Sequence, residues 1–276
     1  GMNVMVASTD YASYVKASIK AGVDAIISGA GLPLDLPSYR EKIDDVLLAP
    51  IVSSAKAASV ICKVWDKRFN CIPDFIVVEG SEAGGHLGFK LEDLVNGTCE
   101  KLESIIEGVR EAVKSFEEKY NYHIPLFAAG GIFDGKDMAN VVKHGADGVQ
   151  MGTRFIATEE CDASDVFKQM IVDSKKEDIG FVKSPTGFPG RAIRSEFVLK
   201  TENRGNIKVS NCINCLIPCN PNDTPYCITT ALINGVKGYK KTGLFFVGSN
   251  GYRVNKIISV KELIDSIKYE YQKVIA

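Results

Sequence analysis

Residues 75–86 read Phe-Ile-Val-Val-Glu-Gly-Ser-Glu-Ala-Gly-Gly-His, an apolar run followed by a glycine-rich stretch that ends on a histidine. The apolar part, residues 75–78, is too short for a typical helix and predicts a buried strand. Glycine permits backbone angles that are closed to other residues, and histidine is the side chain most easily poised to move a proton near neutral pH. The stretch therefore predicts a strand end followed by a loop that carries His86 as a candidate base.

Two later segments repeat this arrangement, in which an apolar run ends on glycine. They are Ala128-Ala129-Gly130-Gly131-Ile132 and Gln150-Met151-Gly152-Thr153-Arg154. Backbone N–H groups that glycine leaves accessible after a strand commonly bind phosphate. Together with His86, the two segments indicate a phosphate-bearing cofactor beside a histidine base.

Strand and helix patterns alternate along the chain. Short apolar runs predict strands at residues 2–6, 25–28, 50–53, 75–78, 126–129 and 148–151. Amphipathic segments predict helices at residues 11–21, with Asp10 as a candidate cap, and at 56–65, 102–116, 136–144, 228–236 and 260–275. This alternation requires a parallel sheet with right-handed crossovers, which leaves a (β/α) barrel or an open doubly wound sheet.

Glycine or polar residues follow nearly every predicted strand, which favours a barrel, because a barrel gathers its active site from all of its C-terminal loops. Barrels often hold phosphate after their seventh and eighth strands. If the segments at Gly131 and Gly152 fill those places, we expect a TIM (β/α)8-type barrel that lacks its first two βα units. We expect one domain over residues 1–276, with the barrel in 1–155 and a cysteine-containing insertion and helices in 156–276. Residues 184–226 are expected to be irregular.

The composition is that of a soluble globular protein, with 45% hydrophobic residues, 24% charged residues and a formal net charge of -1. This charge gives no electrostatic reason to bind nucleic acid or an anionic membrane. No apolar run approaches the ~20 residues that span a bilayer, so we expect a cytoplasmic protein. A gap in the predicted sheet invites self-association, and a homodimer is one expectation.

Four of the eight cysteines lie close together in the pattern C-x2-C-x3-C-x7-C, which is suggestive of zinc or iron–sulfur binding. They are Cys212, Cys215, Cys219 and Cys227. The pattern lacks two matched C-x2-C knuckles, so reduced structural thiols are favoured. A zinc or iron–sulfur site is the alternative, and no metal ligand is assigned among the expected site residues.

The ordered motifs of this chain resemble those of the nitronate monooxygenases, formerly called 2-nitropropane dioxygenases. The motifs are residues 1–7, 26–33, 82–86, 128–132 and 150–155, and their order and spacing match throughout. The chain is also similar to the flavin-dependent enoyl-acyl-carrier-protein reductases. The resemblance implies an FMN-containing TIM barrel that oxidises alkyl nitronates with molecular oxygen.

The resemblance assigns roles to individual residues. It implies that Asn3 bonds the flavin, that Glu79 stands where the family often has Gln, and that His86 is the catalytic base. The remaining residues expected at the cofactor are Gly84, Gly85, Gly130, Gly131, Gln150, Met151, Gly152 and Thr153. The chain departs from the family at Glu79 and in the absence of an early flavin-contacting Gln-Gly-Gly-Met-type loop.

Three functions follow as alternatives. The first is FMN-dependent oxidation of a nitronate or nitroalkane, with His86 removing the proton next to the nitro group. The second is an NAD(P)H-dependent enoyl-thioester reductase, and the third is a truncated, non-catalytic flavin-binding barrel. The other histidines, His123 and His144, are expected to be structural, and Glu82 is expected to cap or orient its loop.

Overall fold

The computed structural model describes residues 1–41 and 45–276, which form two compact units. Unit 1 comprises residues 1–80, 100–129 and 141–150, and unit 2 comprises residues 81–99, 130–140 and 151–276. The units interleave along the chain, so their division does not follow the expected boundary at residue 155. The expectation of a single domain stays a prediction.

Unit 1 is built on a six-stranded parallel sheet. Its strands are β1 (Met2–Met5), β2 (Ala25–Gly29), β3 (Leu47–Val52), β4 (Ile76–Glu79), β6 (Leu126–Ala129) and β7 (Gly148–Gln150), while β5 (Gly85–His86) belongs to unit 2. All six predicted strands are present, and the largest shift is the earlier start of β3. The short β-branched runs were sufficient to predict these strands, because parallel strands are buried on both faces and their sequences are continuously apolar.

The strands of this sheet follow one another in chain order, β1-β2-β3-β4-β6-β7. A doubly wound sheet would reverse direction at a switch point, so this order agrees with the barrel alternative. Barrel closure and the lack of two βα units stay predictions. Helices α1 (Tyr11–Lys20), α2 (Ala55–Phe69) and α4 (Leu102–Tyr120) lie in unit 1 between its strands, and α3 (Leu91–Asn96) falls in unit 2.

The helices of unit 1 bury one face each. Helix α4 buries Ile105, Ile106, Val109 and Val113, and α2 buries Ala58, Ile61, Cys62 and Trp65. The indole of Trp65 is fully buried and donates from Nε1 to the carbonyl of Pro33 at 3.0 Å. Ser54 caps α2 by accepting from Ala57 N at 3.2 Å, whereas Asp10 precedes α1 without a side-chain cap bond.

Unit 2 contains a three-stranded antiparallel sheet in the order β5-β9-β8, formed with β8 (Ile179–Lys183) and β9 (Pro189–Ile193). Its further helices are α6 (Thr153–Ile156), α7 (Asp165–Asp173), α8 (Glu196–Arg204), α9 (Ile228–Val236) and α10 (Val260–Ile275). Helix α5 (Gly135–Lys143) begins in unit 2 and ends in unit 1. Helices α9 and α10 have the predicted bounds.

The expectation that residues 184–226 are irregular is wrong in part, because β9 and α8 lie within them. Pro189 and Gly190 inside β9 hid this strand, since both residues are unfavourable within strands.

The core of unit 2 includes Phe167, Ile171 and Phe245. The rings of Phe167 and Phe245 meet edge to face, with their centroids 5.0 Å apart. Within the described residues, no helix is long and apolar enough to cross a bilayer.

Candidate active site

His86 lies on a short strand and not in a free loop, which corrects the sequence-based expectation. Residues Gly85 and His86 pair with Arg191 and Gly190 of β9, and Leu87 N donates to the carbonyl of Pro189 at 2.8 Å. Because the partner strand comes from about a hundred residues further along the chain, no local pattern could have revealed this pairing. The backbone on both sides of the histidine is therefore fixed.

A buried arginine holds the segment that leads into His86. Arg191 is 8% exposed, and its Nη1 donates to the carbonyls of Ser81 at 2.7 Å and Ala83 at 2.8 Å. Burial lowers the pKa of Arg191, and the Glu82 carboxylate opposes that shift. The guanidinium also lies over the ring of Phe181, 4.8 Å from its centroid. No local sequence signal indicates this role of Arg191, because it depends on antiparallel pairing of distant strands.

The imidazole of His86 has one polar neighbour and one aromatic neighbour. Its Nε2 lies 2.7 Å from Ser184 Oγ, and its ring meets Phe246 edge to face at 5.1 Å. Burial lowers the pKa of His86 from 6.5 to about 4. The ring is consequently neutral at pH 7, the state in which a histidine can accept a proton. Ser184 was not predicted, because it follows a strand that the sequence did not reveal.

A cavity of about 780 Å³ lies against Ser184 in unit 2. That volume falls within the range of ordinary ligand pockets. Its wall is largely apolar, with lysines and an aspartate among the polar residues. The lining residues are Gly88, Phe89, Lys90, Leu91, Val182, Lys183, Ser184, Gly187, Phe188, Pro189, Asn206, Asp223 and Pro225.

The two segments predicted to bind phosphate, at Gly130-Gly131 and Gly152-Thr153, both meet residues 248–251 within unit 2. Gly130 and Gly131 have φ of +90° and +80°, a region open chiefly to glycine. Asn250 Nδ2 donates to the carbonyl of Gly131 at 2.6 Å, and Gly248 N donates to Thr153 Oγ1 at 2.9 Å. The segment 248–251 was not foreseen, although its Gly-Ser-Asn-Gly sequence is typical of a turn.

Several hydrogen-bond donors of this cluster have no partner in the described part of the chain. Ser249 Oγ is buried without any hydrogen bond. The backbone N–H groups of Gly131, Gly152 and Thr153 donate none of the bonds found between described residues outside the regular elements. Burial of the Ser249 hydroxyl without a partner is unfavourable, and a phosphate would satisfy it together with the open backbone N–H groups. The donor set therefore fits the phosphate of a mononucleotide cofactor.

Not every glycine here is explained by a ligand. A Cβ on Gly84 would overlap the backbone of Val247 and Gly248, and one on Gly131 would overlap the Glu82 carboxylate. Gly152 faces open space, with nothing within 4 Å of such an atom. Contact of Gly84 with a cofactor stays a prediction, because packing alone already requires glycine there. Glu82 also accepts at its carbonyl from Ser249 N at 3.0 Å, consistent with a loop-orienting role.

In unit 1, the register places three predicted residues on one face of the parallel sheet. Glu79 pairs with Ala129, which pairs with Gln150, so these residues stand side by side at the carboxyl ends of β4, β6 and β7. Following the register through β2 and β3 places the exposed Asn3 on the same face of the sheet as Glu79 and Gln150. Burial raises the pKa of Glu79 from 4.5 to about 7. Glu79 is therefore partly protonated near neutral pH.

The remaining histidines make surface contacts with carboxylates. His123 is 59% exposed and lies 2.9 Å from Asp147 and 3.1 Å from Glu117. His144 Nδ1 lies 2.6 Å from Glu107 Oε1. These contacts agree with the structural roles expected of both.

The clustered cysteines do not assemble into a recognisable metal site. Among the described residues, no group of three or more His, Cys, Asp or Glu side chains could hold a metal ion. Cys212 is exposed, and the other three cysteines of the cluster are half-buried. Each of the four is a free cysteine without a disulfide.

Comparison with known sequences identifies relatives of the chain. A family model described as nitronate monooxygenase matches residues 1–270. The chain is 39% identical over 127 residues to a probable nitronate monooxygenase of Staphylococcus saprophyticus, a match to 46% of this chain and 34% of that protein. It is 29% identical over 202 residues to a Mycobacterium tuberculosis (3aS,4S,5R,7aS)-5-hydroxy-7a-methyl-1-oxo-octahydro-1H-indene-4-carboxyl-CoA dehydrogenase, covering 73% of this chain and 50% of that protein. These matches span a third to a half of the curated relatives.

Solved structures show the same fold. FabK from Thermotoga maritima matches with a TM-score of 0.75 and 26% identity, over 99% of this chain and 76% of that one. A nitroalkane oxidase from Streptomyces ansochromogenes matches with a TM-score of 0.71 and 22% identity, over 96% and 69%. The second likeness supports the fold alone. The chain has the mixed α/β fold with a parallel sheet of these TIM-barrel-like neighbours.

Proposed function

Because the chain belongs to the nitronate monooxygenase family, we propose that it is a flavin-dependent oxidoreductase that binds FMN and oxidises alkyl nitronates or nitroalkanes with molecular oxygen. The observation that carries the proposal is the neutral His86 bonded to Ser184, a residue that lines the cavity of about 780 Å³. A neutral imidazole and an apolar cavity suit a substrate with an acidic C–H bond and an alkyl group.

The donors in unit 2 are assigned to the phosphate of FMN. Backbone N–H groups at Gly130, Gly131 and Gly152 and the hydroxyl of Thr153 would bind it, and the unpartnered Ser249 Oγ supports this placement. The other proposed FMN residues are Gly84, Gly85 and Met151 in unit 2, with Asn3, Glu79 and Gln150 in unit 1. When bound, FMN would supply the electron transfer between substrate and oxygen.

The replacement of the family's Gln by Glu79 is compatible with this assignment. A protonated carboxyl group donates one hydrogen bond and accepts others, as a glutamine amide does. Burial raises the pKa of Glu79 to about 7, so a large fraction carries that proton at neutral pH. We therefore expect Glu79 to serve as a hydrogen-bond donor in the place of Gln.

His86 acts on the substrate proton. A nitroalkane carries an acidic C–H next to its nitro group, and neutral His86 would accept that proton as a general base. A nitronate arrives without it and needs no base. The two substrate forms therefore separate proton removal from the redox reaction.

The proposal is tested on the purified protein by its absorption spectrum, by mass identification of the released cofactor and by nitronate-dependent oxygen consumption. We expect a yellow protein that releases FMN and consumes oxygen with a nitronate. Protein that lacks flavin and turns over neither nitronate nor nitroalkane would contradict the proposal and support a non-catalytic barrel.

The second candidate, an enoyl-thioester reductase, is favoured by the similarity to FabK over 99% of this chain and by the CoA-type relative. It requires rapid reduction of the flavin by NADH or NADPH. Stopped-flow mixing with each pyridine nucleotide in the absence of oxygen, followed by an enoyl thioester, decides between the two reactions. Flavin that stays oxidised with both nucleotides excludes the reductase.

A further inference from the structure

We infer that Ser184 is the proton relay between the substrate cavity and His86, and that it holds His86 as the tautomer with its proton on Nδ1. This inference rests on the proposed function, in which His86 is the base. It adds a second residue to the proton-transfer path, and it specifies which ring nitrogen takes the proton. All of the groups involved lie in unit 2.

The direction of the Ser184 hydrogen bond follows from counting donors and acceptors. Ser184 Oγ accepts from Thr186 N at 3.3 Å and from Thr186 Oγ1 at 3.1 Å. A serine hydroxyl has two acceptor lone pairs and one proton. Both lone pairs are used, so the single proton points to His86 Nε2, which lies 2.7 Å away.

This bond fixes the tautomer of the imidazole. In a neutral ring one nitrogen carries the proton and the other accepts. Since Nε2 accepts from Ser184, the ring proton resides on Nδ1. Thr186 is 4% exposed and accepts at its own hydroxyl from Phe188 N at 3.4 Å, which keeps its hydroxyl directed at Ser184.

The cavity meets Ser184 and not the histidine itself. Ser184 is among the lining residues, whereas His86 is absent from the lining formed by the described part of the chain. Tyr226 supports this wall by donating from its hydroxyl to the carbonyl of Lys183 at 2.7 Å. In the described part of the chain, Ser184 is therefore the member of the His86–Ser184 pair that lines the cavity.

The relay step is a balanced transfer of one proton. The longer of the two Thr186 bonds, from Thr186 N at 3.3 Å, releases one lone pair of Ser184 Oγ. The substrate C–H bond breaks and its proton bonds to that lone pair, while the existing Ser184 proton passes to His86 Nε2. The carbon keeps the electron pair as the nitronate anion, the serine ends neutral, and His86 becomes the doubly protonated imidazolium. No oxidant takes part in this step.

The first test compares Ser184→Ala with the wild-type holoenzyme on a neutral nitroalkane and on the corresponding preformed nitronate, by oxygen consumption. We expect kcat/KM for the nitroalkane to fall about 100-fold or more, with little change for the nitronate. Ser184→Thr keeps a hydroxyl and should restore most of the nitroalkane activity. Ser38→Ala, at an exposed serine that donates to the carbonyl of Asp35, is the matched control.

The outcomes separate the inference from the proposed function. Equal losses of Ser184→Ala on both substrates, or no loss on either, would overturn the relay while leaving nitronate oxidation intact. A wild-type protein that oxidises neither substrate would refute the proposed function. The tautomer is then still decided by the second test, which needs no turnover.

The second test reads the imidazole directly by two-dimensional 1H–15N NMR of protein labelled with [15N]histidine. The chain has 3 histidines, so the exposed His123 and His144 provide references. At pH 7 we expect wild-type His86 to show a protonated Nδ1 and an unprotonated, hydrogen-bonded Nε2. Ser184→Ala should shift the Nε2 signal and mix the tautomers. A protonated Nε2 in the wild type would overturn the inference.

Discussion

Unit 1 and unit 2 differ in the sequence separation of the residues that build them. In unit 1, each strand pairs with the next strand of its sheet in chain order, and Glu79 and Gln150 gain their places from that regular register. In unit 2, β5 pairs with β9, and His86 bonds Ser184 at a separation of 98 residues. The difference teaches that repeated local patterns position the strand-end residues of unit 1, whereas long-range pairing positions the candidate base.

The largest expected effect comes from removing the base. His86→Ala should lower kcat/KM for a nitroalkane by roughly 10²–10⁴-fold, because no other described side chain bonds Ser184 as a proton acceptor. Oxygen consumption measures the loss, with the exposed His123→Ala as the control. A His86→Ala protein with full nitroalkane activity would refute the assigned base.

The second largest effect is expected from removing Arg191, whose guanidinium bonds the segment that leads into β5. Arg191→Ala leaves the carbonyls of Ser81 and Ala83 without their buried donor, and we expect the free energy of unfolding to fall by about 2–4 kcal/mol. Urea denaturation followed by circular dichroism measures it. Arg194→Ala removes a more exposed pair with Glu202 and should cost less than about 1 kcal/mol. Equal effects would mean that Arg191 does not secure the segment.

The burial of His86 predicts a pH dependence of stability. Its pKa is about 4 in the folded protein against an ordinary 6.5, so between these values the unfolded chain binds more protons. Stability should therefore fall as pH falls from 6.5 to 4, by about 3 kcal/mol for this group. The difference in unfolding free energy between wild type and His86→Asn, followed across that window, isolates it. A difference that does not vary with pH would contradict the burial.

The smallest effect is expected in unit 1, from a local cap. Ser54→Ala removes the acceptor for Ala57 N at the start of α2 and should lower the free energy of unfolding by about 1 kcal/mol. The neighbouring Ser53→Ala lies outside the cap position and is the control. Urea denaturation should show a larger shift for Ser54→Ala, and identical shifts would show that this cap contributes little.

Gly84 and Gly131 were correctly identified as positions that need glycine, but the sequence did not reveal which neighbours require it. Gly84 and Gly131 were singled out for close approach to a cofactor, and in the structure their missing Cβ atoms make room for the 247–248 backbone and for Glu82. The pattern identified the need for glycine without identifying the neighbour. Ser249 and Asn250, which complete that cluster, lie far along the chain in a turn that carries no specific signal.

By itself, the sequence determined the six parallel strands, the helices between them, and His86 as the candidate base, because apolar periodicity and strand-end residues are local properties. The tertiary structure alone decided that His86 lies on a strand, that Arg191 anchors the segment before it, and that Ser184, which lines the cavity, bonds its imidazole. These contacts join residues about a hundred positions apart, and such pairing is set by packing and hydrogen-bond satisfaction across the folded chain.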